Sequence, residues 1–429
     1  TPLVFVVAGL IFAATAATYA EGTVRHPEAG GSSSFARRAF NEFWSFFAAW
    51  AQMLTYIVTI AISAFFVPHY LGVFWEPLGE SPADIIAGIV VVALLGTLNI
   101  VGVKESAGVN IGFAVADFLT QVLLVVVGVV LVLDPDLLVS QVDFGTTPTL
   151  GDFLIAIPVA MVAYTGIETI SNMAEEARDY GRTIPRGIGL VVIAVAVIYT
   201  FLPAVALSVM PVEGGETVLA LPQEQGGYAD DPVLGVVENM DLGSLQYAAQ
   251  IYVGILAATI LFIATNAGIL GVSRLSYSMG QHRQLPERLR QVHPKYRTPH
   301  VTTMITGLLV ALGALLADDD ATYDLTNIGT LSAFALVCIG VLVLRIKEPD
   351  RPRPFRIPGG MVGLFVVAMG GAGACVFVMM GLPPKAWERF AWWLGIGLVL
   401  YFAYGFRNST LRRGRGPVQL EPPPPVEKS

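Results

Sequence analysis

Apolar residues along this chain come in long blocks. They show neither the alternation of a half-buried strand nor the one-sided stripe of a surface helix. Eleven blocks reach the roughly 20 mainly apolar residues that a helix needs to cross a hydrocarbon core about 30 Å thick. They lie at 2–20, 43–71, 83–103, 108–133, 152–174, 187–211, 245–270, 301–317, 323–344, 360–382 and 388–406. Backbone groups in lipid must be paired, and runs this long and this uniformly apolar exclude barrel strands. The expected fold class is an all-α integral membrane bundle. Residues 1–406 form its transmembrane domain, and 407–429, ending in EPPPPVEKS, form a disordered tail. The chain opens on Thr1 and Pro2, already in an apolar run and without an initiator Met, so it is expected to begin inside a longer protein.

Composition agrees with the pattern. Only 14% of the 429 residues are charged and 54% are hydrophobic, against about 25% charged in a soluble domain. The formal net charge of −8 becomes informative once each residue is assigned to a face by alternating sides at every span. One face then collects 23 of the 25 basic residues, and the other carries 19 of the 33 acidic ones with only Lys385 and Arg389. The positive-inside rule puts Thr1 outside and Ser429 in the cytoplasm of a multi-pass protein of the cell (plasma) membrane. Cys338 and Cys375 sit within apolar runs as small buried hydrophobes, and the five His residues lie at or beyond span ends. No span holds a His pair, a Ser/His couple or a metal-ligand cluster, so no catalytic residue, metal or cofactor is expected and the chain does not read as an enzyme. Nothing in it suggests nucleic-acid binding.

Two carboxylates, Asp117 and Glu168, fall on neither face. A charged group at membrane depth costs about 2.5–3.5 kcal/mol on insertion scales, which makes both functional candidates. Glu168 follows AIPVAMVAYTGI, where Pro158 and Gly166 interrupt the helix. Broken helices are tolerated in a bilayer where the freed backbone groups line a cavity or bind a ligand. The stretch Ala163, Tyr164, Thr165, Gly166, Ile167, Glu168 is therefore the candidate substrate site, with Tyr164 as an aromatic gate. Gln52, Thr55 and Thr59 in the 43–71 span, Gln121, and Thr259, Thr265 and Asn266 are weaker candidates. For each of these, an interhelical hydrogen bond is the plainer reading.

Four segments carry a family resemblance: GIET…AEEARDYGRTIPRGI, YAEGTVRHPEAGGSSSFARRAFNEF, TNAGILGVSRLSYSMGQHRQLPERLRQVHPKYRTPH and NIGTLSAFALVCIGVLVLRIKEPDRPRPFRIPGG. In order and spacing they resemble amino-acid permeases of the APC superfamily. The resemblance implies a LeuT-type inverted-repeat bundle, with the eleven spans as family helices two to twelve and the first helix missing. It also implies a secondary transporter that moves amino acids by alternating access, with substrate between the sixth helix (Ala163 to Glu168), the third (Thr55, Thr59) and the eighth. Thr55 stands where the cationic branch often has an acidic residue, between matching Trp50 and Tyr56. Asp117 stands where several proton-coupled members carry a lysine after the ESAGVN motif at Glu105. Asp117 and Glu168 are thus the proton-coupling candidates. The coupling ion is H+ or none, with Na+ still open, and the protein works as a symporter or an exchanger. An amine or polyamine permease and a non-transporting sensor on a permease fold are the alternatives.

Overall fold

The computed structural model describes residues 2–410, apart from 29, 102–105, 141–148, 173, 175, 176, 178, 213–216, 223, 224, 230, 241, 297, 317 and 318. Glu105 of the ESAGVN motif, the Glu175–Glu176 pair, Asp318 and the tail beyond Thr410 lie outside the described residues.

The described residues form helices, with connections between them. They are α1 (Pro2–Arg25), α2 (Gly31–Ala39), α3 (Glu42–Leu71), α4 (Ala83–Val101), α5 (Ser106–Leu131), α6 (Pro135–Ser140), α7 (Leu150–Val162), α8 (Ile167–Asn172), α9 (Tyr180–Val209), α10 (Pro232–Glu238), α11 (Gln246–Gln281), α12 (His300–Leu316), α13 (Asp319–Lys347), α14 (Gly360–Met380), α15 (Pro384–Leu400) and α16 (Phe406–Asn408). Among the described residues each apolar block is helical over most of its length, the 152–174 block being divided between α7 and α8. Among the described residues, ten spans are long and apolar enough to cross a membrane. The block at 301–317 is the exception: α12 has 17 residues, about 25 Å at 1.5 Å per residue, a little short of a full crossing.

Helix ends are written in the sequence. Asn41 caps α3, its side chain accepting from the N–H groups of Phe43 and Trp44, and Thr149 with Asp152 forms a reciprocal capping box at α7. At the centre, α3 packs against α11, α13, α2 and α4, while α1 packs against α9, α14 and α13. The α3–α11 crossing is tight because α11 offers glycines. A methyl at Gly268 would lie 2.5 Å from Ile60, and one at Gly271 would lie 2.6 Å from the Tyr56 ring. Lipid tails are as apolar as leucine, so helices in a membrane associate through such close approaches and not through hydrophobic burial. The outer helices α4, α5, α9, α14 and α15 turn leucine, valine and phenylalanine outward, a continuous apolar belt that suits lipid.

The connections meet as alternation requires. Arg25 donates to Glu348, Lys347 to the Ala39 carbonyl, Gln284 to Glu42, Thr298 to the Ile100 carbonyl, and the Thr410 N–H to the His282 carbonyl. All of these belong to the basic face. On the other side, the Asp134 N–H reaches Ser208 Oγ at 3.2 Å, and His69 lies 3.9 Å from Asp84.

Candidate functional site

The helix predicted to break does break. α7 carries Pro158, which has no N–H to donate one turn back. Its last turn then tightens: the N–H groups of Ala163, Tyr164 and Thr165 reach the carbonyls three residues earlier at 3.2, 3.0 and 3.2 Å. Gly166 follows with φ 113°, in the left-handed region where a side chain would be strained, and α8 starts at Ile167. The Gly166 N–H, freed by the break, donates to Glu168 Oε2 at 3.1 Å, and the Gly166 carbonyl accepts from the Thr169 N–H. Glu168 is 2% exposed, and among the described residues no basic side chain pairs with it. A buried carboxyl folded back on an unwound backbone is a group that can hold a proton or face a cation.

Tyr164 does not project from the break. It turns onto α1, donates to the Phe5 carbonyl at 2.7 Å, and packs against Phe5, Phe12 and Tyr199. From the other side the break is reached by Tyr56, one position from the predicted Thr55. The Tyr56 hydroxyl accepts from Asn172 Nδ2 at 2.8 Å and lies 3.3 Å from Thr169 Oγ1, both on α8, while Gln52 approaches it at 3.4 Å. Ser32 of α2 donates to Gln52, and Thr23 of α1 meets Ser171 at 2.8 Å. Three elements, α1, α2 and α3, thus converge on α8 through polar contacts. Among the described residues, Asn172 Oδ1 and the Tyr19 hydroxyl are buried without a hydrogen-bond partner. Sequence reasoning missed Tyr56 and Asn172 as site residues, although a signal exists: Gln52 and Tyr56 are four apart on one face of the 43–71 span.

The remaining candidates separate. Thr55 faces α13: it approaches the Thr326 carbonyl at 3.5 Å, accepts from Thr330 at 3.2 Å and fills the space above Gly329. Thr59 is half-buried on α3. Asp117 on α5 is 9% exposed and accepts from Gln121 at 2.7 Å. Among the described residues, no hydrogen bond or ion pair links Asp117 to the break. Asn266 accepts from Asn99 across α4 and α11, the interhelical bond of the plainer reading, whereas Thr259 and Thr265 bond carbonyls of their own helix.

A third carboxylate lies deep. Glu21 of α1 is fully buried and takes two donors of Arg345 and the Ile357 N–H. Alternation of sides assigns it to the basic face, and its ion pair explains how it can sit within a span. Beside it, past the end of α1, burial and the charges of Arg38 and Arg351 push His26 down to about 4, with Glu348 3.6 Å away opposing the shift. Burial works against the charged form of Glu348, yet Arg25, His26 and Arg351 hold it below the usual carboxylate range. The basic ends of α1 and α13 are tied together by these pairs.

A family model described as amino acid permease matches residues 1–402. The chain is similar to the branched-chain amino acid permease of Bacillus subtilis (strain 168), 29% identical over 428 residues that cover 95% of this chain and 86% of that protein. It is similar to the methylthioribose transporter of the same organism, 26% identical over 426 residues with the same coverages. It is also similar to that organism's serine/threonine exchanger, 23% identical over 359 residues covering 82% of this chain and 76% of that protein.

Proposed function

The chain belongs to the amino acid permease family, and on that premise we propose how it carries an amino acid across a membrane: by alternating access, with the substrate held at the break from Ala163 to Glu168. The observation that carries this reading is the unwound, carboxylate-bearing segment between α7 and α8, beside the Tyr56–Asn172 cluster. An amino acid brings a carboxylate that needs backbone or amide N–H donors and an ammonium that needs carbonyl or carboxylate acceptors, and interrupted helices offer both. Tyr56 borders this region from α3, Thr55 and Thr59 would contribute only after a turn of α3 away from α13, and Tyr164 braces the break against α1. The relatives' names span branched-chain, hydroxyl and cationic amino acids, so the preference for a neutral substrate rests on Thr55, a hydroxyl residue where the cationic branch often has an acidic one. The same names include a sugar thioether, so substrate choice rests on the side-chain half of the site.

Proton coupling is the second part of the proposal, with Asp117 and Glu168 as the groups that exchange the proton. The protein would sit in the plasma membrane with its basic face, and the tail 407–429, in the cytoplasm. Proteoliposomes holding the complete protein should take up or exchange labelled neutral amino acids, and failure with every amino acid would refute transport. Under an imposed pH gradient, Asp117→Asn and Glu168→Gln should abolish gradient-driven uptake while leaving exchange. If both variants keep full gradient dependence, neither carries the proton. Competition by amines lacking a carboxylate would favour the amine-permease reading, and binding without counterflow would favour a sensor.

A further inference from the structure

The loop from α13 to α14 borders an open cavity of about 390 Å³, lined by Arg345, Arg353, Arg356, Ile357, Gly359 and Met361 among others. Its charges are unevenly matched. Arg345 is buried and fixed, bonded to Glu21 and, through Nη1, to the Gly360 carbonyl at 2.6 Å. Glu21 is engaged at both oxygens by Arg345 and the Ile357 N–H, and Glu348 pairs with Arg25 and Arg351 through Oε2. Arg353 donates only to the Glu348 and Pro349 carbonyls at 2.6 and 2.8 Å, and its Nε is buried with no acceptor among the described residues. Among those residues, no carboxylate pairs with Arg353 or with Arg356. Burial, with the positive charges of Arg25, Arg345 and Arg356, pushes the Arg353 guanidinium below the usual arginine range against the opposing charge of Glu21. Arg353 and Arg356 thus carry positive charge that no ion pair among the described residues neutralises.

The backbone adds to the same field. Gly359 and Gly360 have φ of 81° and 65°, and α14 starts there with no side-chain cap, so its first N–H groups have no side-chain acceptor. Immediately beyond the cavity the surface turns apolar. Met361, Val362, Phe365 and Val366 on α14 and Ile346 on α13 are between 47% and 74% exposed. A soluble anion would match only the arginines. A molecule with an anionic head and hydrocarbon tails matches both halves. We propose that this cavity binds the phosphate headgroup of an anionic phospholipid, with Arg353 and Arg356 as its charge contacts, Arg345 as its fixed floor and the acyl chains lying along α14.

The test uses the purified full chain and native mass spectrometry, titrating phosphatidylglycerol, phosphatidylcholine or inorganic phosphate. Native protein should retain phosphatidylglycerol at least tenfold better than phosphatidylcholine. Arg353→Gln/Arg356→Gln should weaken phosphatidylglycerol retention by roughly 10- to 30-fold, following the worth of two basic residues near a lipid surface. Arg353→Lys/Arg356→Lys should keep most of the retention, which separates charge from damage to the loop. Arg288→Gln/Lys295→Gln, on the connection from α11 to α12, should change nothing. Equal retention by native protein and the Arg353/Arg356 Gln variant, or an equal loss in the Arg288/Lys295 variant, would overturn the proposal. So would inorganic phosphate displacing phosphatidylglycerol at equal concentration, since the site would then be one for a soluble anion.

Discussion

Gly271→Ala tests the polar junction at its tightest point. The added methyl would stand 2.6 Å from Tyr56 Cζ and 2.7 Å from Cε1, where the ring lies over the glycine. Ordinary carbon contacts are about 3.5–4.0 Å, so the ring must retreat by roughly 1 Å or the helices must part. Overpacking of this kind costs about 1–3 kcal/mol. Alanine in place of a helical glycine returns about 1 kcal/mol. The net loss of stability should therefore be modest, on the order of 0–2 kcal/mol. The effect on the junction should be larger in consequence. The Tyr56 hydroxyl sits 2.8 Å from Asn172 Nδ2, and a retreat of about 1 Å would break that bond. Asn172 would then have neither amide atom bonded, because its Oδ1 already lacks a partner among the described residues. Gly373→Ala on α14 supplies the control, since a methyl there meets nothing within 4 Å and should only gain helix propensity. Thermal unfolding in detergent and amino-acid counterflow in proteoliposomes read the two effects separately. Gly373→Ala should unfold at the native temperature or above and exchange normally. Gly271→Ala should lose a few degrees and most of its exchange rate. In a Tyr56→Leu background, the same glycine change should cost little more. If Gly271→Ala matches Gly373→Ala in both assays, Tyr56 does not hold the break.

Three further outcomes follow from particular contacts. His26 is held near 4 against an ordinary 6.5, so below pH 6.5 the unfolded chain binds a proton that the folded one refuses. Stability present at neutral pH should fall as pH drops from 6.5 to 4, by up to about 3 kcal/mol, and flatten below; unfolding temperature against pH for native protein and His26→Gln checks it, and parallel curves would count against the assignment. Glu21→Leu strands the buried Arg345 guanidinium and should cost about 3–5 kcal/mol, whereas Glu21→Leu/Arg345→Met should recover much of the loss in thermal unfolding. Tyr164→Phe removes the donor to the Phe5 carbonyl and should cost about 1 kcal/mol in unfolding; a large change in substrate affinity without that loss would show that the hydroxyl meets substrate and not α1.

The broken helix is legible in the sequence because its causes are local. Pro158 removes an N–H, Gly166 permits a positive φ, and Glu168 is out of place in an apolar run, so each residue states its own physical cost. The alternation of faces is equally legible, since charge cannot cross lipid freely, and the contacts Arg25–Glu348 and Gln284–Glu42 pair segments assigned to one face from charge alone. What cannot be read is rotation about a helix axis. Thr55 and Tyr56 are neighbours in sequence and about 100° apart on the helix, so one turns to α13 and the other to α8. The apolar pattern of a wholly enclosed helix has no polar side to orient it. Orientation comes instead from glycines on other helices, Gly329 opposite Thr55 and Gly271 opposite Tyr56, more than 200 residues away. Glu21 escapes a sequence reading for the same reason: its counter-ion Arg345 is on α13, and only the pairing makes a carboxylate in a span tolerable. Small residues in a membrane bundle therefore carry positional information that becomes readable once the partner helix is known. The Gly271 substitution is the sharpest test of the site because it leaves every polar residue in place and removes only the space that aims Tyr56.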